Sequence, residues 1–279
     1  MNENSKPKGQ TLINEWLRGA AEELAMLGIP TALLDAEVIL AHTLRKSRTY
    51  LHAHGEQIID PRRLEIANAR LDLRKDRVPV AYIIGHKEFY GRIFKVTPAV
   101  LIPRPESEAI ITQLKGLVGP NKPLKLVDIG TGSGCLGITA KLELPSLSVT
   151  LSDNSQHALT VAKENASSLN AEVKLVHSDL FEKLKLPFDI ILANLPYVDK
   201  TWERSPETNH EPAEALFASS NGRALIERLL NQAPAHLNSG GHLLIEADPE
   251  QHAALTDHAK NRGLIRTAVD GYCLVFKKH

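Results

Sequence analysis

The run Val127-Asp128-Ile129-Gly130-Thr131-Gly132-Ser133-Gly134 constrains this chain more than any other feature. An apolar run ends in glycines at every second position, and GCLGITAKLE takes up helical spacing directly after it. A strand must therefore pass into a helix through a tight turn. Glycine permits that turn and lets a ligand approach the backbone closely. The helix amino terminus that follows favours a negative group. The spacing reads Gly-x-Gly-x-Gly, with Gly137 three beyond Gly134, rather than a bare dinucleotide Gly-x-Gly-x-x-Gly. No Gly-Lys-Ser/Thr follows, which excludes a P-loop. Nucleotide, dinucleotide and sulfonium-cofactor enzymes all use such a turn. The alternation of strand and helix continues downstream. SVTLSD, VKLVHSD, FDIILANLPYV and GHLLIEAD read as strands. SQHALTVAKENASSLN, ALIERLLNQAPAHLNSGG (with a glycine stop) and PEQHAALTDHAKNRG read as helices. LIRTAVDGYCLVFKK reads as a closing hairpin about Asp270-Gly271. Near-continuous apolar strands between helices predict an α/β fold with a parallel sheet covered on both faces.

The chain before this region has another character. TLINEWLRGAAEELAMLGIP sets Leu12, Trp16, Ala20, Leu24 and Leu27 on one stripe until Gly28 and Pro30 stop it. LLDAEVILAHTLRK and PRRLEIANARLDLRKDR add two helices, the latter starting at Pro61 behind Asp60 as N-cap. A small helical bundle over 1–78 follows from these. PVAYIIGHKEFYGRIFKVTPAVLI predicts short strands and a hairpin within a linker over 79–104. The next helix starts at Pro105, and the second domain runs over 105–279. A length of 279 residues suits two domains. The 33 Lys and Arg balance 33 Asp and Glu, so nothing pulls the whole chain toward nucleic acid or membrane. Nine basic against five acidic residues from Arg45 to Arg77 read as a solvated helix surface; a docking face for an acidic or RNA-associated partner is the alternative. No apolar run approaches the ~20 residues of a membrane span. The opening MNENSKPKGQ lacks the apolar core of a leader. Cys135 and Cys273 lie far apart, and the histidines have no metal-binding spacing. A soluble, cytoplasmic chain without a metal is expected.

Three further positions carry chemistry. Asp153 ends a strand about twenty residues beyond the glycines, where a carboxylate can accept both hydroxyls of a ribose. Its alternative role is to cap the helix that begins near Ser155. Asp179 ends the following strand and either faces an adenine amino group or caps a turn. Asn194-Leu195-Pro196-Tyr197 closes FDIILA. Methyl transfer to a planar nitrogen needs its NH2 held by acceptors so that the nitrogen meets the methyl in line. The Asn194 oxygen and a backbone carbonyl can do this. Pro196 favours extended geometry at Leu195 and can aim that carbonyl inward, while the Tyr197 ring can cover a flat target. Hydride transfer would have no use for this set. Glu211, just before Pro212, reads as a loop cap or as facing the same site.

Together these segments resemble the release-factor glutamine N5-methyltransferases, the HemK type of class I methyltransferase. PVAYIIGHKEFYGRIFKVTPAVLIPRPESE resembles their interdomain segment, LVDIGTGSGCLGI their cofactor loop and NLPYV their Asn-Pro-Pro-Tyr signature. HEPAEALFASSNG with GGHLLIEAD resembles their C-terminal part. The resemblance implies a Rossmann-like methyltransferase sheet behind a small N-terminal helical bundle. It implies S-adenosyl-L-methionine as donor and the Gln amide of the Gly-Gly-Gln motif of peptide-chain release factors as acceptor, with the helical domain docking the protein substrate. Gly130, Thr131, Gly132, Ser133 and Gly134 would line the cofactor, Asp153 would hold its ribose, and Asp179 and Leu180 would lie beside its adenine. Asn194, Leu195, Pro196 and Tyr197 would hold the target amide, with Asn194 also bordering the cofactor. Leu195 departs from the family's second proline: it keeps the carbonyl and gives up the fixed φ, which implies a less rigid loop. A ribosomal-protein glutamine methyltransferase is the nearest alternative. An adenine N6-methyltransferase on nucleic acid fits the zero net charge poorly, and a mere adenosyl-binding module would not need the signature. A monomer without direct nucleic-acid contact would suffice for the expected reaction.

Overall fold

The computed structural model describes residues 10–119, 121–185 and 187–279. The first nine residues, read above for a leader, lie outside that range. The chain divides into two compact units: the residues up to Gly85 with Pro206–His210, and His86–Ser205 with Glu211–His279.

The first unit is helical: α1 (Ile13–Met26), α2 (Ala32–Leu44), α3 (Arg48–Ala53), α4 (Pro61–Lys75) and α5 (Val80–Ile84). Ile13, Trp16, Leu17, Ala20 and Leu24 form the buried stripe of α1. Leu27 is not part of it; it follows the last helical turn and is exposed. The Trp16 indole donates to Asn68 Oδ1 at 2.8 Å, which satisfies its polar edge inside the bundle. Asp60 caps α4 through the Arg63 N–H, with Pro61 at the first position. Asp35 and Arg74 form a buried ion pair at 2.7 Å, and Arg74 also reaches Glu207 at 2.9 Å. That contact, with the His210 ring on the Asp76 carbonyl at 3.0 Å, places Pro206–His210 in this unit. Val80–Ile84 corrects an expectation. This apolar run forms one helical turn, ended by Gly85 at φ 78°, and not a strand.

The second unit opens with the antiparallel hairpin β1 (His86–Phe89) and β2 (Arg92–Lys95). It continues with α6 (Glu108–Leu117), β3 (Lys125–Ile129), α7 (Cys135–Glu143), β4 (Ser148–Asp153), α8 (Gln156–Ser168), β5 (Val173–His177) and β6 (Phe188–Ala193). Then come α9 (Ala213–Leu216), α10 (Ala224–His236), β7 (Leu237–Glu246), α11 (His252–Lys260), β8 (Leu264–Asp270) and β9 (Cys273–Lys278). Among the described residues the main sheet has the order β5-β4-β3-β6-β7-β9-β8. All pairs from β5 to β7 are parallel, and β9 runs antiparallel to both β7 and β8. Val127, Ile129, Ile191 and Ile245 join the core on one face, and Leu126, Leu151, Leu192 and Leu244 the core on the other. Burial on both faces is why these strands read as unbroken apolar runs. The helix α10 does not continue into NSGG; β7 takes up that segment from Leu237, with a register shift opposite Phe188 and Ile190. β3 has β4 on one side and β6 on the other, so strand order reverses there. The crevice beyond the carboxyl ends of β3 and β6 is the place where such sheets bind ligands. Among the described residues no helix is long and apolar enough to cross a membrane.

Candidate active site

The glycine turn is held from several sides. The Thr131 N–H donates to the Ser152 carbonyl at 3.0 Å. Its hydroxyl donates to Asp128 Oδ2 at 2.6 Å, and the same oxygen accepts the Gly137 N–H at 2.9 Å. Asp128 is fully buried and its other oxygen has no partner among the described residues. Burial pushes its carboxyl up to about 6, against the pull of those two hydrogen bonds. Gly130 adopts φ 68°, and a Cβ there would lie 2.7 Å from Leu195 Cδ2. Only glycine lets the turn and the signature approach so closely.

Asp153 accepts the Gly132 N–H on Oδ2 at 2.9 Å and the Ser155 N–H on Oδ1 at 2.8 Å. Burial raises its pKa, partly offset by those N–H groups. It is not the cap of α8: the Ser155 hydroxyl takes that role, accepting the Ala158 N–H at 3.2 Å. Asp153 therefore joins the end of β4 to the glycine turn, and each oxygen keeps a lone pair for a further donor. Buried Asn165 on α8 adds a brace that the sequence did not signal. Its amide donates to the carbonyls of Ser133 and Lys95 and accepts the Lys95 N–H, tying turn to hairpin.

The signature leaves β6 beside this turn. Asn194 Nδ2 donates to Ser107 Oγ at 3.0 Å, Ser107 donates to Glu246 Oε2 at 2.5 Å, and the Tyr197 hydroxyl donates to Glu246 Oε1 at 2.9 Å. Glu246 is buried at the end of β7; burial raises its pKa, and the Ser107 and Tyr197 hydroxyls counter that rise. Leu195 is 4% exposed and its side chain belongs to the sheet core. Packing against Gly130 thus seats the position at which the sequence departs from the expected second proline. Glu211 holds the rim: it accepts the Ile102 N–H at 3.1 Å and the Arg104 guanidinium at 2.5 Å.

A cleft of about 980 Å³, open mouth included, gathers most of the residues expected from sequence. Gly130, Thr131, Gly132, Ser133, Asp153, Asp179, Leu180, Asn194, Leu195 and Pro196 all line it, together with Arg104 and Ser107. Two expected residues do not. Gly134 stands at φ 83° as the N-cap of α7 and donates its N–H to Thr131 O at 2.8 Å, so it shapes the turn from behind. The Tyr197 ring, expected over a flat target group, packs instead toward the sheet core and Tyr272. Burial beside the Glu246 carboxylate pushes its phenol pKa upward. Asp179 is half-exposed and paired with Arg228. Ser107 and Glu246 escaped the sequence reading because 139 positions separate them. The only available signal was an acid at the end of an apolar strand.

The turn, the Asp153 carboxyl and the Asn194 amide thus share one crevice. The family described as PrmC N-terminal domain matches residues 15–85, and that described as methyltransferase small domain matches residues 107–261. The release factor glutamine methyltransferase of Koribacter versatilis is 38% identical over 82% of this chain and 86% of its own length. The protein of that name from Escherichia coli is 32% identical over 86% of this chain and 87% of its own. Among solved structures, a methyltransferase from Pyrococcus furiosus superposes with a TM-score of 0.52 at 19% identity, covering 76% of this chain and 97% of that one. At that identity it speaks for the fold alone, whereas the full-length relatives speak for descent. The chain belongs to the release factor glutamine methyltransferase family.

Proposed function

We propose that this protein transfers the methyl group of S-adenosylmethionine to the side-chain amide nitrogen of the glutamine in the Gly-Gly-Gln motif of peptide-chain release factors. The observation that carries the reading is the Asn194 side chain. Its NH2 is engaged by Ser107, and no described residue donates to its oxygen, in a residue that lines the cleft. An amide oxygen held in that way suits an N–H donor from a target amide.

The residues present fit the cofactor. Gly132, at φ 54° with open space where a Cβ would stand, lets a ligand approach the backbone of the turn, and Asp153 keeps acceptor capacity for ribose hydroxyls. Leu180, Ile129 and Ala158 offer apolar walls suited to an adenine, with Asp179 at their edge. S-adenosylmethionine supplies a sulfonium-activated methyl, so the protein's task is orientation. Asn194 Oδ1 accepts one N–H of the target amide and the Leu195 carbonyl accepts the other, which turns the nitrogen toward the donor. Pro196 limits the backbone of Leu195. The amide nitrogen keeps its protons until attack is under way, so no strong base is assigned. Residues 1–78 dock the factor, 79–104 link, and 105–279 carry the transfer. The enzyme works in the cytoplasm as a monomer, without nucleic acid.

The test is Asn194→Ala. Transfer should fall about a hundredfold or more, the scale of losing one oriented polar group in a preorganised site. Cofactor affinity by calorimetry should stay within about threefold of wild type. Transfer at the wild-type rate would refute the amide clamp.

A further inference from the structure

We propose that Ser107 and Glu246 are positioning residues that determine which end of the Asn194 amide faces the cleft. This rests on the amide-clamp reading above and adds the device that makes the clamp an acceptor.

An asparagine amide is nearly symmetric in shape, so only its hydrogen-bond partners fix its orientation. Here the chain of partners has a direction. Glu246, as a carboxylate, only accepts: its two oxygens take the Ser107 hydroxyl at 2.5 Å and the Tyr197 hydroxyl at 2.9 Å, and the Asn194 side chain also donates to it. A serine hydroxyl has a single proton. With that proton committed to Glu246, Ser107 Oγ can only accept toward Asn194, 3.0 Å away. Asn194 must then present its NH2 to Ser107 and its oxygen to the other side. Without this constraint the amide could turn and offer two N–H groups to a substrate NH2, donor against donor. The constraint lies in a buried place: Ser107 and Glu246 are each 1% exposed.

A second observation concerns α6. Ser107 precedes that helix as its N-cap but makes no side-chain cap hydrogen bond, its backbone being helical at φ −67° and ψ −16°. Ser47, Asp60 and Ser155, at the same position of other helices, do cap them. The hydroxyl of Ser107 is thus withheld from its own helix and given to Asn194 and Glu246, which come from the ends of β6 and β7.

The variants are Ser107→Ala, which deletes the Ser107 acceptor and leaves Glu246 as the remaining one, and Ser107→Thr, which retains a hydroxyl. Two readouts apply to each. The first does not depend on transfer: hydrogen exchange of the Asn194 side-chain NH2 by 15N NMR, with its signal identified by its loss in Asn194→Asp. Exchange should be slow in wild type, faster by about tenfold or more in Ser107→Ala and slow again in Ser107→Thr. The second is methyl transfer to a release factor. Ser107→Ala should lower kcat by about ten- to hundredfold, with KM for the factor and calorimetric cofactor affinity within about threefold of wild type. Ser107→Thr should recover most of that loss. Unchanged Asn194 exchange in Ser107→Ala overturns the proposal, as does wild-type kcat in that variant or equal impairment of both variants. Failure of the wild-type protein to methylate any release factor would instead overturn the functional reading, and the exchange measurement would still judge the positioning role.

Discussion

One oxygen of Asp128 holds the glycine turn together while the other is buried without a partner among the described residues. The cost is electrostatic and has a definite sign. The unfolded chain ionises this acid near 3.8 and the folded protein near 6. Stability from the neutral form is therefore complete below the unfolded value and lost as pH rises through the folded one, an effect of roughly 3 kcal/mol. Asp128→Asn can still accept from Thr131 and Gly137 but cannot ionise. Urea unfolding should show wild type losing about 3 kcal/mol relative to the variant between about pH 2 and pH 8, most of it above pH 4; parallel pH curves would contradict the assignment. At this scale the sequence speaks where a residue's place in a strand decides its role. The place of Asp153 and Asn194 in the cleft is legible because each stands at the end of an apolar strand in the right order. The place of the Tyr197 ring is not legible because its partner Glu246 comes from a strand 49 positions away, and that partner, not the signature, determines where the ring lies.

The signature would be a free loop if later elements did not hold it. The Val198 N–H donates to Leu216 O at 3.0 Å and the Ala218 N–H to Val198 O at 3.1 Å, a short parallel bridge. Gln251 Nε2 donates to the carbonyls of Tyr197 and Asn221, each at 2.8 Å. Gly222 closes this arrangement at φ 78°, where a Cβ would stand 1.9 Å from the Tyr197 carbonyl oxygen. Gly222→Ala should therefore cost about 2–4 kcal/mol from left-handed strain and the backbone clash together. Urea unfolding checks this, and a loss below about 0.5 kcal/mol would show that the contact is not tight. Elements bounded by glycine and proline and buried on two faces could be recognised from sequence, as β3, β4 and β6 were. Val80–Ile84 could not. Its β-branched, aromatic run has no period to separate strand from helix, and tertiary packing against the bundle core decides it. The start of β7 was hidden for a related reason, since glycine within NSGG marks an irregular pairing and not an end.

At the scale of the whole chain, order along the sequence predicted the α/β core, because each strand–helix step is local. What it left unread is non-local. Pro206–His210 belongs with the helical unit although it follows the signature, through Glu207 on Arg74 and His210 on Asp76. Ion pairs across such separations leave no spacing to detect. The balanced charge likewise gives recognition of a substrate to specific surfaces and not to a global field. The central claim is transfer to one glutamine of one class of protein, and a labelled-methyl assay tests it most directly. The purified protein and radiolabelled S-adenosylmethionine are incubated separately with a release factor, its Gly-Gly-Gln→Gly-Gly-Ala variant, a ribosomal protein fraction and DNA. Label should enter the wild-type release factor alone. Label on the Gly-Gly-Ala variant, the ribosomal fraction or DNA, with none on the wild-type factor, would contradict the account.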